Sequence, residues 1–125
     1  MKYNSILLVD DSATSRMIMK RCFTIAGHSE SKYFEASGGL DALSFLKENS
    51  VDLIITDLMM PEMDGKIFIK KVKSDQNLKD IPIIVVSSMG NNILENQLLE
   101  GGAFAIIRKP LSPAGIIEVL GENDV

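Results

Sequence analysis

Four places in the sequence hold side chains that can do chemistry, and each one follows an apolar run. Asp10-Asp11 follow Ile6-Leu7-Leu8-Val9. Asp57 comes after Leu53-Ile54-Ile55, and Ser87 after Ile83-Ile84-Val85-Val86. Lys109 stands just past the run 103–107. Continuous apolar runs of this length are strands buried on both faces. Where such strands lie parallel, their carboxyl ends open on one edge of the sheet, and ligands gather there. Three carboxylates brought within a few ångströms repel one another, and one of them tends to take up a proton. A hard divalent cation removes that conflict. Mg²⁺ prefers oxygen ligands, few carboxylates, several waters and a phosphate. The residues therefore predict a Mg²⁺ site that holds the ion better beside a phosphoryl group.

Asp57 then fits the role of a nucleophile on phosphorus, giving an aspartyl phosphate. Phosphoryl transfer needs positioning and charge neutralisation more than covalent help. The Lys109 ammonium and the Ser87 hydroxyl suit the phosphoryl oxygens. No histidine or cysteine is placed to act as a base, so acid–base hydrolysis is a poor fit. Each part has a plainer reading. Asp10-Asp11 can cap a helix, Asp57 can start a turn, and Ser87 and Lys109 can be ordinary strand-end groups. The joint pattern at four strand ends favours the chemical reading.

The elements that must position these groups follow from periodicity. The first strand leads into a helix over 12–26, ended by Gly27. His28 falls in the connecting loop and is expected to be solvated. Lys32-Tyr33-Phe34-Glu35-Ala36 is more polar and reads as an edge strand. Gly38-Gly39 turns into a helix that runs to about Asn49. The third strand is 51–57. Pro61 stops its loop from continuing as a strand, and Asp64-Gly65 looks like the cap and first turn of a third helix. Phe68, Ile69 and Val72 form that helix's buried side. Lys66, Lys70, Lys71 and Lys73 read as a solvated face. Pro82 opens the fourth strand. A helix over 91–100 follows, with Ile93, Leu94, Gln97 and Leu98 on a thin apolar side. The fifth strand is 103–107. Ser112 and Pro113 then make a good cap and first residue for a last helix, whose Ile116, Ile117 and Leu120 face the core. Five β-α units in succession imply a parallel sheet covered on both faces. Right-handed crossovers and an edge position for the second strand give the flavodoxin-like doubly wound order 2-1-3-4-5, with five helices.

The bulk properties narrow the function. The 125 residues suit one domain, and 46% hydrophobic with 24% charged residues is an ordinary globular composition. A net charge of −4 argues against a sequence-independent grip on nucleic acid. The one cysteine, Cys22, rules out an internal disulfide and a cysteine-based zinc site. It falls in a helical set with Met19, Phe23 and Ala26, so it is expected in the core. No apolar run approaches the roughly 18 residues of a membrane span. The start leads directly into a strand, so no signal peptide is expected and the cytoplasm is the default.

Val9-Asp10-Asp11-Ser12, the run 57–65 (Asp-Leu-Met-Met-Pro-Glu-Met-Asp-Gly), Val86-Ser87-Ser88 and Lys109-Pro110 together resemble the receiver domain of two-component response regulators. The likeness is greatest to the stand-alone kind found in chemotaxis, and it extends from about Ile6 to Leu120. It implies that Asp57 is the phosphoacceptor, charged by a sensor histidine kinase. It implies Mg²⁺ held by Asp11, Asp57 and the backbone carbonyl of Met59, with Asp10 acting through water. Ser87 and Lys109 would bind the phosphoryl oxygens, and the Lys109-Pro110 peptide would be cis. The target would dock on the face of the fourth helix, fifth strand and fifth helix. Such a chain is not an enzyme beyond its own phosphorylation and slow dephosphorylation. In the family an aromatic residue commonly stands three positions before the lysine and swings inward on phosphorylation. Ile106 occupies that position here, with Phe104 nearby. Met59 and Met89, two residues after Asp57 and Ser87, would flank the attacking water and offer it no polar atom, so slow self-hydrolysis is expected.

Three rival readings share the fold. A flavin binder would want Ser, Thr and Gly after the first strand, where Asp10-Asp11 repel phosphate. A phosphatase using an aspartyl phosphate would want a second carboxylate at residue 59, which is methionine. A receiver-like module that is never phosphorylated would not need the full set of chemical residues. Either the chain acts alone by binding a partner, or it is a receiver from a longer protein.

Overall fold

The computed structural model describes residues 3–88 and 90–121. Strands and helices alternate as β1 (Ser5–Val9), α1 (Ala13–Phe23), β2 (Lys32–Ala36), α2 (Gly39–Leu46), β3 (Leu53–Asp57), α3 (Gly65–Ser74), β4 (Ile83–Ser87), α4 (Asn92–Glu100), β5 (Ala105–Arg108) and α5 (Pro113–Leu120). The five strands are parallel and lie in the order β2-β1-β3-β4-β5, as expected. Alternation within each strand feeds two cores. Leu7, Val9, Ile54 and Val85 pack with residues of α2, α3 and α4 on one face. Ile6, Leu8, Ile55 and Val86 pack with those of α1 and α5 on the other. Every residue of β3 and β4 is buried, which is why their runs are uninterrupted. β2 leaves Lys32 and Glu35 exposed, in keeping with its place at an edge. Cys22 is buried beside Met19, Phe23 and Ala26.

Side-chain caps set where α1, α3, α4 and α5 begin. Ser12 accepts from the Ser15 N–H, Asp64 from Ile67, Asn91 from Ile93 and Leu94, and Ser112 from Gly115, with Pro113 at the helix start. Each such cap contributes about 1 kcal/mol. α2 is shorter than its pattern suggests. After Leu46 the Lys47 and Glu48 N–H groups bond only three residues back, to Ser44 and Phe45, and the Asn49 side-chain amide closes the turn on the Phe45 carbonyl. β3 begins at Leu53 because the Asp52 carboxylate bridges to the Asn4 and Ser5 N–H groups. β5 starts later than expected. Gly102 turns the chain at φ 116° and Ala103 still bonds back to Leu98, so the ladder opens with the Phe104 N–H on Ile83.

Three expectations are corrected. His28 is not solvated. After α1 the chain makes a π-helical turn, Thr24–His28, with Gly27 at φ 109°. That conformation is strained for any side chain, and it turns His28 inward between Tyr3 and Phe23, where it is 2% exposed. α4 is thinly packed as expected, with only Leu98 buried, but Ile93 does not share its packed side and is 72% exposed. The lysine face of α3 has one exception, since the half-buried Lys73 ammonium donates to the Lys79 and Ile81 carbonyls. Among the described residues no helix is long and apolar enough to cross a membrane.

Candidate functional site

Strand register brings the chemical residues together. Val9 pairs with Thr56 and Asp57 with Val86, so Asp10 and Asp57 leave neighbouring strands at the same level. Ser87 pairs with Arg108, one step further along the same edge, and Lys109 follows. The Lys109 N–H donates to the Ser87 carbonyl at 2.8 Å, which ties the ends of β4 and β5. The Lys109-Pro110 peptide is cis, as the resemblance implied. The Lys109 ammonium lies 3.2 Å from Asp57 Oδ1. Asp10, Asp11 and Asp57 each bring a carboxylate oxygen to within 4.8 Å of the others. Asp10, Asp57 and Ser87 are buried and Asp11 is exposed.

Of the three clustered carboxylates, Asp57 has the Lys109 ammonium beside it, so the cluster is left with excess negative charge. Burial pushes the Asp10 carboxyl above its ordinary value. The Ser12 N–H, donating to Asp10 Oδ1 at 2.9 Å, opposes this, and the neighbouring Asp57 and Asp11 add to the upward push. Asp10 Oδ2 is buried and, among the described residues, has no hydrogen-bond partner. A buried carboxylate oxygen with no donor is costly. An all-oxygen cluster with an orphaned, buried carboxylate oxygen and surplus negative charge is the donor set that suits Mg²⁺ with its waters. The residues therefore fit the ion.

The loop after β3 is held from both sides. The Leu58 N–H donates to Val86, and the Gly65 N–H donates back to Leu58. A Cβ on Gly65 would lie 3.0 Å from Leu58 Cα and 3.1 Å from the Asp57 carbonyl oxygen, so glycine lets α3 start this close to Asp57. Leu58, Met60 and Met63 are buried under the loop, and Glu62 turns it at φ 67°. Met59 stands out of this packing at 62% exposure. Met89, its expected counterpart, lies outside the described residues. Ile106 sits half-buried against the core beneath α4, while Phe104 is 51% exposed and precedes β5.

Two supporting residues escaped the sequence reading. Arg16 donates to the Asp10 carbonyl at 2.6 Å and pairs with Glu35 at 2.8 Å, bracing the loop that carries Asp10-Asp11. Its place at the first turn of α1, after the acid pair, was the available signal. Arg108 pairs with Glu95 and reaches Asn92, joining β5 to α4 across their exposed side. Nothing in local sequence announces that pair.

The chain matches the family model for the response regulator receiver domain over residues 6–121. It is 38% identical to chemotaxis protein CheY1 of Helicobacter pylori, over 95% of this chain and 98% of the relative. It is 37% identical to chemotaxis protein CheY of Thermotoga maritima, over 94% of each. Among solved structures it resembles the chemotaxis response regulator CheY4 of Vibrio cholerae, with TM-score 0.82 and 26% identity over 93% of this chain and 94% of that one. It also resembles the receiver domain of a signal transduction histidine kinase from Syntrophus aciditrophicus, with TM-score 0.79 and 30% identity over 92% and 85%. A match spanning nearly the whole chain, on a sheet whose strand ends carry these acids and this lysine, means that the chain belongs to the family of two-component response regulator receiver domains.

Proposed function

We propose that Asp57 is the phosphoacceptor and that a sensor histidine kinase is its donor. The observation that carries this is the Lys109 ammonium 3.2 Å from Asp57 Oδ1, on one member of a three-carboxylate cluster. A carboxylate oxygen of Asp57 attacks phosphorus as the bond from phosphorus to the donor's imidazole nitrogen breaks, and the imidazole leaves with the electron pair. Lys109 follows the charge from the carboxylate to the phosphoryl oxygens, and the Ser87 hydroxyl donates to one of them. Asp10, Asp11, Asp57 and the Met59 carbonyl would hold Mg²⁺, whose part when bound is to neutralise phosphoryl charge. On this reading the 1–125 chain is one receiver domain that catalyses only its own phosphorylation and slow dephosphorylation. It works in the cytoplasm and delivers its signal to a protein target on the face made by α4, β5 and α5.

The test is intact mass after incubation with a small phosphodonor. One phosphoryl group is expected with Mg²⁺ present, and none in excess chelator or in Asp57→Asn. An equal gain in that variant would overturn the reading.

A further inference from the structure

We propose that the groove between α2 and α3 docks an acidic, amphipathic helix of a partner protein. The groove encloses about 720 Å³. On α3, Ile67, Lys70, Lys71 and Ser74 follow one another at three- and four-residue spacing and share one stripe. On α2 and just past its end, Leu43 and Lys47 face that stripe. The result is an apolar floor flanked by cations. Ile67 is 46% exposed, although it sits among residues that could have covered it.

The electrostatics select the occupant. The chain carries a net charge of −4, yet this groove is lined by Lys47, Lys70 and Lys71. Among the described residues none of these lysines makes an ion pair or side-chain hydrogen bond. The one acid in the lining, Asp75, accepts from the Asn77 N–H through Oδ1. The cations are thus uncommitted. A helix with an aliphatic ridge and carboxylates on its flanks matches both floor and rim, in the helix-in-groove mode. A lipid surface cannot enter a cleft between two helices, and the net negative charge repels an extended nucleic-acid backbone.

Only one end of the groove comes near Asp57, at Ile67 in the first turn of α3. Helices run antiparallel to the strands they follow, so Lys47 and Ser74, at the carboxyl ends of α2 and α3, lie toward the opposite edge of the sheet. The proposal is argued from the groove's own lining and does not rest on the one above.

The experiment uses the full chain, labelled with ¹⁵N, and a synthetic helical peptide of about 15 residues with glutamates flanking a leucine ridge. Amide shifts are expected to change at 43–47 and 67–74, with affinity falling as salt rises. The double variant Lys70→Glu/Lys71→Glu should lose about tenfold or more in affinity. Its urea unfolding should match that of the parent chain, which shows that the fold is intact. Ile67→Ala should weaken binding with the salt dependence preserved. The proposal is overturned if the peptide shifts residues elsewhere, if the double variant binds equally well, or if anionic vesicles or a short DNA duplex perturb these residues at lower concentration than the peptide.

Discussion

β3–α3 and β4–α4 are adjacent units of the same design, a fully buried strand leading through a loop into a helix, and they are held very differently. α3 buries Gly65, Phe68, Ile69 and Val72, whereas α4 buries only Leu98. The loop after β3 is fastened at both ends by backbone hydrogen bonds and roofs over Leu58, Met60 and Met63. In the loop after β4, Ser88, Gly90 and Asn91 are exposed. Asp57 belongs to the fixed unit and Ser87 to the loosely held one. On the proposed function, a carboxylate that must meet both a cation and a donor needs a fixed position. A hydroxyl that must respond to a new charge needs a mobile neighbourhood, and elements with few buried contacts open at low cost.

The most severe way to break this contrast is to remove the anchor of α3. Phe68→Ala should destabilise the chain by about 3–5 kcal/mol, since it empties a fully buried aromatic site. Ile93→Ala on α4, at a site 72% exposed, should stay within about 0.5 kcal/mol. Urea unfolding of the two variants measures the difference directly. Comparable losses would mean that α4 is packed as firmly as α3.

A milder perturbation leaves both units untouched. His28 lies at the far corner of the other sheet face, packed by Tyr3 and Phe23, and among the described residues neither of its ring nitrogens has a hydrogen-bond partner. Burial holds its pKa below the ordinary 6.5. The unfolded chain therefore binds the proton first, and stability present above pH 6.5 is lost as pH falls toward the lower folded value. His28→Phe should flatten this part of the pH profile. The local opening of α4 should be the same in both proteins, because α4 packs on the opposite face. Amide exchange at pH 5.5 and pH 7 separates the two effects.

His28 also shows where sequence stops being legible. The sheet order was readable because buried parallel strands leave uninterrupted apolar runs, and the site because its groups sit where those runs end. A lone histidine after Gly27 carries no periodicity. Its burial depends on a π-helical turn with a positive φ, and no pattern of residue types encodes that. The α4 stripe misled in the opposite direction. Ile93 and Leu94 mark an apolar side, but a helix over the loosely covered end of a sheet need not bury all of it. Arg16 and Arg108 were missed because their partners, Glu35 and Glu95, lie 19 and 13 residues away.

The fixed loop leaves Met59, Pro61 and Glu62 exposed, and the first of these sharpens the comparison on the side of Asp57. Met59 projects from the loop at 62% exposure, two residues after Asp57. Its side chain offers no polar atom to orient an attacking water. Met59→Asn should shorten the lifetime of the phosphorylated chain a few-fold, on the order of 1 kcal/mol in the barrier, while leaving stability unchanged. Decay of the phosphorylated mass with time is the measurement, and an unaltered lifetime would exclude residue 59 from control of hydrolysis.

The smallest expected effect concerns Ile106. A phosphoryl group on Asp57 should draw in the Ser87 hydroxyl, because a charge-assisted hydrogen bond is stronger than a neutral one. That movement pulls on the exposed loop and on α4. Where an aromatic residue fills the space behind the hydroxyl, its swing carries much of the change. Ile106 is smaller and stiff at its first torsion, and it is already half-buried against the core below α4. Phe104 cannot take its place, since it lies outside β5 and half in solvent. The response should therefore travel through the loop and α4 themselves, with Arg108 moving along with Glu95. With a phosphoryl mimic bound at Asp57, amide exchange should change across Asn92–Glu100 and stay constant across Gly65–Ser74. Ile106→Ala should leave that pattern in place and alter its size only slightly. If the variant binds the mimic and α4 no longer responds, residue 106 is the switch, and the difference in packing between α3 and α4 is not what routes the signal.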